Sequence, residues 1–126
     1  MENEKYVFEE YEDTPAYAKI QGPNLIRFVN KHNVYLGREV SIVEYKKDEE
    51  VIFISDSNKI SRKHIQIYWD SNIGEWFARN LSKNPIYINK SITKNTSDPV
   101  QISPISAIQV DDCKFYFFQA RKENDD

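Results

Sequence analysis

The chain has 126 residues, enough for one domain with an ordinary core. Aromatics reach 13% and the formal net charge is −3, which favours strands and argues against duplex DNA or an anionic membrane as main partner, since both require clustered Lys and Arg. The single cysteine, Cys113, excludes an internal disulfide and a cysteine-built zinc site, and no stretch resembles a signal peptide or approaches the ~18 apolar residues of a membrane span, so a soluble intracellular protein is expected.

Residues 1–14 carry Glu2, Glu4, Glu9, Glu10, Glu12 and Asp13 and read as a flexible acidic arm. Residues 15–120 read as the ordered body and 121–126 as a charged tail. Within the body, short apolar segments alternate with turn residues. Tyr17 to Ile20 runs into the turn signal Gly22-Pro23-Asn24, and Leu25 to Val29 and Val34 to Leu36 follow. Val40 to Tyr45 is a weaker strand candidate, Lys46 to Glu50 a charged break, and Val51 to Ile54 a run too short for a buried helix.

The clearest alternation is His64 to Trp69, with Ile65, Ile67 and Trp69 on one face. Asp70 to Gly74 is a turn and Glu75 to Leu81 the returning strand of a hairpin. Ile86 to Ile88 and Ser91-Ile92 flank the turn Asn89-Lys90. Val100 to Ile102, Ala107 to Val110 and Lys114 to Phe118 complete the series, with Asp111-Asp112 as a tight turn. Trp69, Trp76, Tyr35 and the run from Phe115 to Phe118 are expected in the core, where large aromatics dominate. No segment carries a helical stripe, and many short strands with regular turns indicate an all-β sandwich or barrel.

Three strings carry the chemistry: Gly37-Arg38, Ser61-Arg62-Lys63-His64 and Asn80-Leu81-Ser82-Lys83-Asn84. Each sits at the end of a predicted strand, where sandwiches place binding groups. They offer guanidinium, hydroxyl, ammonium and amide groups without a poised acid–base pair. That inventory suits a phosphoryl dianion: Arg38 supplies the fork, Ser61 a hydroxyl, Arg62 and Lys83 charge, and Asn84 an amide that bonds an extended peptide.

Gly-Arg, then Ser-x-x-His, then Asn-x-Ser-x-Asn, in that order along an all-β chain, resembles the forkhead-associated (FHA) domain family. Ile105 to Val110 followed by Phe115-Tyr116-Phe117 resembles that family's final hairpin, so the likeness spans residues 17–119. The resemblance implies a twisted two-sheet β-sandwich of about eleven strands with binding loops at one end. It implies a non-catalytic module for phosphothreonine-containing partner proteins, with no cofactor, no metal and no direct nucleic-acid or membrane contact. Carried over by position, Arg38 and Ser61 hold the phosphate, Arg62 and Lys83 assist, and Asn84 bonds the peptide main chain. His64 braces the loop presenting Arg38, Gly37 lets the chain turn tightly before it, and Asn80 and Ser82 support the loop. Asp56 to His64 and Leu81 to Asn84 are most similar to the modules of forkhead-type transcription factors, which implies nuclear signalling or transcription regulation.

Two positions depart from the family. Pro85 stands where Gly is usual and pushes Asn84 toward extended backbone. Lys90 replaces the Gly of an Asn-Gly turn, so a looser turn or another type is expected. Pro85 motivates a second reading, a phosphate-independent interaction scaffold on the same fold. A third, single-stranded nucleic-acid binding, rests on Lys59, Arg62, Lys63 and Lys83 near aromatics.

Overall fold

A computed structural model of the chain describes residues 6–7, 16–39 and 48–122. The described residues contain strands and no helix. In chain order these are β1 (Tyr6–Val7), β2 (Ala18–Gly22), β3 (Leu25–Val29), β4 (Asn33–Arg38), β5 (Glu50–Ser55), β6 (Ile65–Asp70) and β7 (Glu75–Asn80). After them come β8 (Ile86–Ile88), β9 (Ser91–Thr93), β10 (Val100–Gln101), β11 (Ile105–Val110), β12 (Cys113–Gln119) and β13 (Arg121–Lys122). The expected arm and tail lie outside the described residues except for β1 and β13, which pair antiparallel. The weak strand candidate at 40–45 lies outside them too.

Eleven strands form the expected two-sheet sandwich: a six-stranded sheet ordered β3-β2-β12-β11-β8-β9 and a five-stranded sheet ordered β10-β7-β6-β4-β5. All pairings are antiparallel except β4 with β5. Alternation decides what each strand buries. In β6, Ile65 and Ile67 are buried while Gln66 is not, and in β2, Ala18 and Ile20 are buried. The two inner faces meet in one core that includes Leu36, Trp76, Ile108 and Phe117.

Trp76 anchors one part of this core, edge-on to Trp69 at 5.8 Å and to Phe117 at 5.5 Å between ring centroids. Such pairs contribute about 0.5–1.5 kcal/mol each beyond the area they bury. The expected burial of Phe115 to Phe118 holds for Phe115 and Phe117 only. Tyr116 is exposed and Phe118 half-buried, because a continuous apolar run on a strand still alternates between faces. Tyr35 is likewise half-buried, whereas Trp69, also half-buried, packs against the core as expected.

The Asn89-Lys90 connection also departs from expectation. It is a tight two-residue hairpin loop with φ of 51° at Asn89 and 72° at Lys90, the sign pattern of a type I′ turn. Asn89 holds it in place: its N–H donates to the Ala107 carbonyl at 2.8 Å, and its Oδ1 accepts from the Ala107 N–H at 2.9 Å. Lys90 therefore adopts a left-handed conformation that glycine occupies without steric cost. Lys90→Gly is expected to raise stability by about 0.5–1 kcal/mol in urea titrations, and Lys90→Val to lower it by at least as much.

Candidate functional site

The parallel pairing of β4 with β5 brings Arg38 and Ser55 to the same end of their sheet, where β6 begins and β7 ends. The register of β4 against β5 shifts between Gly37, opposite Phe53, and Arg38, opposite Ser55, so the extra residue of the irregularity is Ile54 on β5. The Arg38 N–H donates to the Ser61 carbonyl at 2.9 Å, and the His64 N–H to the Leu36 carbonyl at 2.9 Å. The segment 61–64 is thereby laced along the end of β4.

Gly37 makes this possible, but not by turning. Its φ lies outside the left-handed region, and its role is clearance: a Cβ there would stand 1.8 Å from the Arg62 carbonyl oxygen. The expected tight turn is corrected to a close pass of backbone over backbone.

His64 is fully buried and uses both ring nitrogens. Nδ1 accepts the Ser61 N–H at 3.0 Å, and Nε2–H donates to the Asn84 carbonyl at 3.2 Å. This pairing requires the neutral Nε2–H tautomer. Burial lowers its pKa from 6.5, and the bond to the Asn84 carbonyl opposes that only partly.

The third string is organised from within. Asn80 is buried and donates through Nδ2 to the Asn84 and Thr93 carbonyls, both at 2.9 Å, while its Oδ1 accepts the Ser82 N–H at 2.9 Å. The buried Ser82 hydroxyl accepts from the Asn84 N–H at 3.2 Å and from the Ser61 hydroxyl at 2.8 Å. Asn84 itself is exposed, and its Nδ2 donates to the Lys59 carbonyl at 2.8 Å. The amide oxygen of Asn84 has no partner among the described residues. Asn84, which precedes Pro85, is thus bonded across to the loop that carries Lys59. Nothing in the sequence marked the Lys59 carbonyl as its partner.

Arg38, Ser61, Asn80, Ser82 and Asn84 are brought into one loop cluster by these bonds, with Arg62 and Lys83 exposed beside them. Lys63 is not part of it. Its Nζ crosses the Tyr35 ring at 4.4 Å and pairs with the buried Glu49 carboxylate at 3.3 Å. Two clefts border the cluster. One of about 240 Å³ lies between Asn84, Pro85, Tyr87 and Asp111. Another of about 370 Å³ is lined by Glu39, Asp56 and Asp112 over Phe53 and Phe115. Among the described residues no group of His, Cys, Asp and Glu side chains is placed to hold a metal ion.

The family model described as "FHA domain" matches residues 34–111. Fork head protein homolog 2 of Saccharomyces cerevisiae is 26% identical in an alignment of 114 residues that covers 81% of this chain. The chain spans 13% of that relative's length. The N-terminal FHA domain of Rad53p from S. cerevisiae, solved in complex with a phosphothreonine peptide, superposes with a TM-score of 0.63 at 15% identity, covering 82% of this chain and 94% of that one. The FHA domain of an Arabidopsis thaliana hypothetical protein superposes at 0.63 with 18% identity, covering 88% and 92%.

Gly37→Ala is expected to cost about 1–3 kcal/mol in denaturant unfolding, since the Arg62 backbone must shift to admit a methyl group. A pH effect follows from the histidines. The unfolded chain binds a proton at His64 near pH 6.5, whereas the folded chain resists it. Stability should therefore fall as pH drops through 6.5 toward the lowered folded value, and level off below it. His32, whose pKa burial also lowers, adds a slope of the same sign. Urea midpoints between about pH 7.5 and 5 should vary less steeply in His64→Gln than in the native chain.

Proposed function

This chain belongs to the FHA domain family, and on that premise we propose that it is a phosphothreonine-dependent binding module with Arg38, Ser61 and Asn84 as its central contacts. The observation that carries the reading is the buried, neutral His64, which bonds to Ser61 on one side and Asn84 on the other and so holds two strings together at the end of β4. The solved complex of the Rad53p domain with a phosphothreonine peptide supports the ligand class.

In this reading the Arg38 guanidinium grips two phosphate oxygens. The Ser61 hydroxyl, which donates to Ser82 at 2.8 Å, rotates to donate to a third. Ser82 then turns its own proton back to Ser61, so neither hydroxyl is left unsatisfied. Arg62 and Lys83 add charge from the rim, and the open Asn84 amide oxygen accepts a main-chain N–H of the bound segment.

The function is binding rather than catalysis. His64 cannot serve Ser61 as a general base, because its Nδ1 lone pair already holds the Ser61 backbone N–H and its other nitrogen is a donor. The forkhead-named relative supports a place in nuclear signalling or transcription regulation. The second reading, a phosphate-independent scaffold, draws on Pro85 and on the engagement of the Asn84 Nδ2 with Lys59.

The test is fluorescence anisotropy against a phosphothreonine peptide library with phosphoserine and unphosphorylated counterparts. Charge-assisted hydrogen bonds contribute about 1.5–3 kcal/mol, and truncating one partner of a desolvated pair costs about 2–5 kcal/mol. Arg38→Ala should therefore weaken capture at least roughly thirtyfold. Arg62→Ala and Lys83→Ala, on exposed rim charges, should each cost roughly two- to fivefold. Normal binding of a phosphopeptide ligand by Arg38→Ala sinks the assignment. Partner binding that survives phosphatase treatment moves it to the scaffold.

A further inference from the structure

Glu39 follows Arg38 directly, and its N–H donates to the Ser55 carbonyl at 2.8 Å. Ser55 in turn stands opposite Arg38 in the register of β4 and β5. Both Glu39 and Ser55 line the cleft of about 370 Å³, so this cleft begins where the phosphate cluster ends. It opens between the ends of the two sheets. Phe53 enters it from β5, Leu25 from β3 and Phe115 from β12, and together they give it an apolar floor.

The rim above that floor is acidic. Glu39, Asp56 and Asp112 are exposed on it, against one cation, Lys114. None of the three carboxylates has a hydrogen bond or ion pair among the described residues. They come from three separate segments, after β4, after β5 and before β12, and no such group among the described residues is placed to hold a metal ion. Separated carboxylates over an apolar floor suit a long side chain with a spread charge. A guanidinium carries five N–H donors on one plane, and its aliphatic stem packs on apolar surface. The binding end is thus two-sided: Arg38, Arg62 and Lys83 stand at the phosphate loops, and three carboxylates stand in the cleft beside them. A segment that is anionic at one residue and cationic a few residues away complements both.

We propose that this cleft takes an arginine side chain from the same segment whose phosphothreonine Arg38 and Ser61 hold, so that the module selects phosphothreonine with a basic residue nearby. The inference rests on the phosphothreonine reading above and names the ligand class within it. The arginine stem lies over Phe53 and Leu25, and its guanidinium meets Glu39 and Asp56, with Asp112 across the cleft. Lysine, a compact and strongly hydrated charge, reaches fewer of these carboxylates at once. The same carboxylates repel a segment that brings acidic residues to this side of its phosphate.

The test captures a phosphothreonine peptide library, randomised on both sides of the phosphothreonine, on the full chain and sequences what is retained. Arginine should be enriched at one position, with aspartate and glutamate depleted there. Peptides that differ only at that position should bind in the order Arg, Lys, Ala, Glu, with Arg ahead of Ala by roughly fivefold. In the double variant Glu39→Gln, Asp56→Asn the ratio of Arg to Ala peptide affinity should fall to near one. Both side chains are exposed, and damage to the fold would weaken both peptides alike and leave the ratio in place. Glu75→Gln with Asp98→Asn removes the same charge elsewhere on the chain and should leave the ratio as it is. A ratio that survives in the first double variant, or that collapses equally in the second, overturns the proposal. Capture that depends on Arg38 but shows no basic preference also overturns it, and leaves the phosphothreonine reading standing. Capture of no phosphopeptide by the folded native chain overturns both.

Discussion

A neutral, buried imidazole ties the binding end of this molecule together. His64 sits fully buried between two strings that are far apart in the chain, accepting from one backbone and donating to the other. A buried polar ring is costly unless both nitrogens are bonded. Each bond therefore depends on the other loop being in place, and the loops are cooperative for that reason. The proton that would charge the ring would also remove the acceptor that Ser61 relies on.

Around that bracket, backbone proximity does what side-chain chemistry alone could not. The Arg62 carbonyl passes so close to Gly37 that no side chain fits there, and the Arg38 N–H bonds to the Ser61 carbonyl next to it. Arg38 and Ser61 are thus set against each other through main-chain contacts before any ligand arrives. Pre-set geometry reduces the ordering cost of binding. The cations are sorted as well. Lys63 is drawn away to Glu49 across the Tyr35 ring, while Arg62 and Lys83 remain exposed at the rim. A chain of net charge −3 can in this way present a locally cationic pole.

The two sheets differ in how they use their outer faces. The five-stranded sheet carries Tyr35 and Gln66 outside, with the Lys63 Nζ lying over the Tyr35 ring and Gln66 bonded to the Asn33 side chain at 3.0 Å. The six-stranded sheet carries tyrosine, phenylalanine and isoleucine outside, on the same strands that pack Phe115 and Phe117 inside. Strands that are apolar on both faces suit a sheet covered on both sides. Here one cover is the core, and on the other face Ile26, Tyr87, Ile92, Ile105 and Tyr116 are exposed.

Much of this was legible in the residues themselves. Alternation at Ile65 and Ile67 and turn signals at Gly22-Pro23 and Asp70 to Gly74 determined an all-β sandwich or barrel, because period and turn chemistry are local properties of the chain, and the resemblance of the three ordered polar strings to the FHA family implied the two-sheet sandwich with its binding end. What the tertiary structure alone decided was which atoms meet. The Lys59 carbonyl taken by Asn84, the Glu49 carboxylate taken by Lys63 and the Arg62 carbonyl over Gly37 lie 25, 14 and 25 positions along the chain from their partners. The outward side of Tyr116 within an unbroken aromatic run was decided in the same way. Such contacts depend on strand register and on how the sheets stack, and no local pattern of residues carries that information.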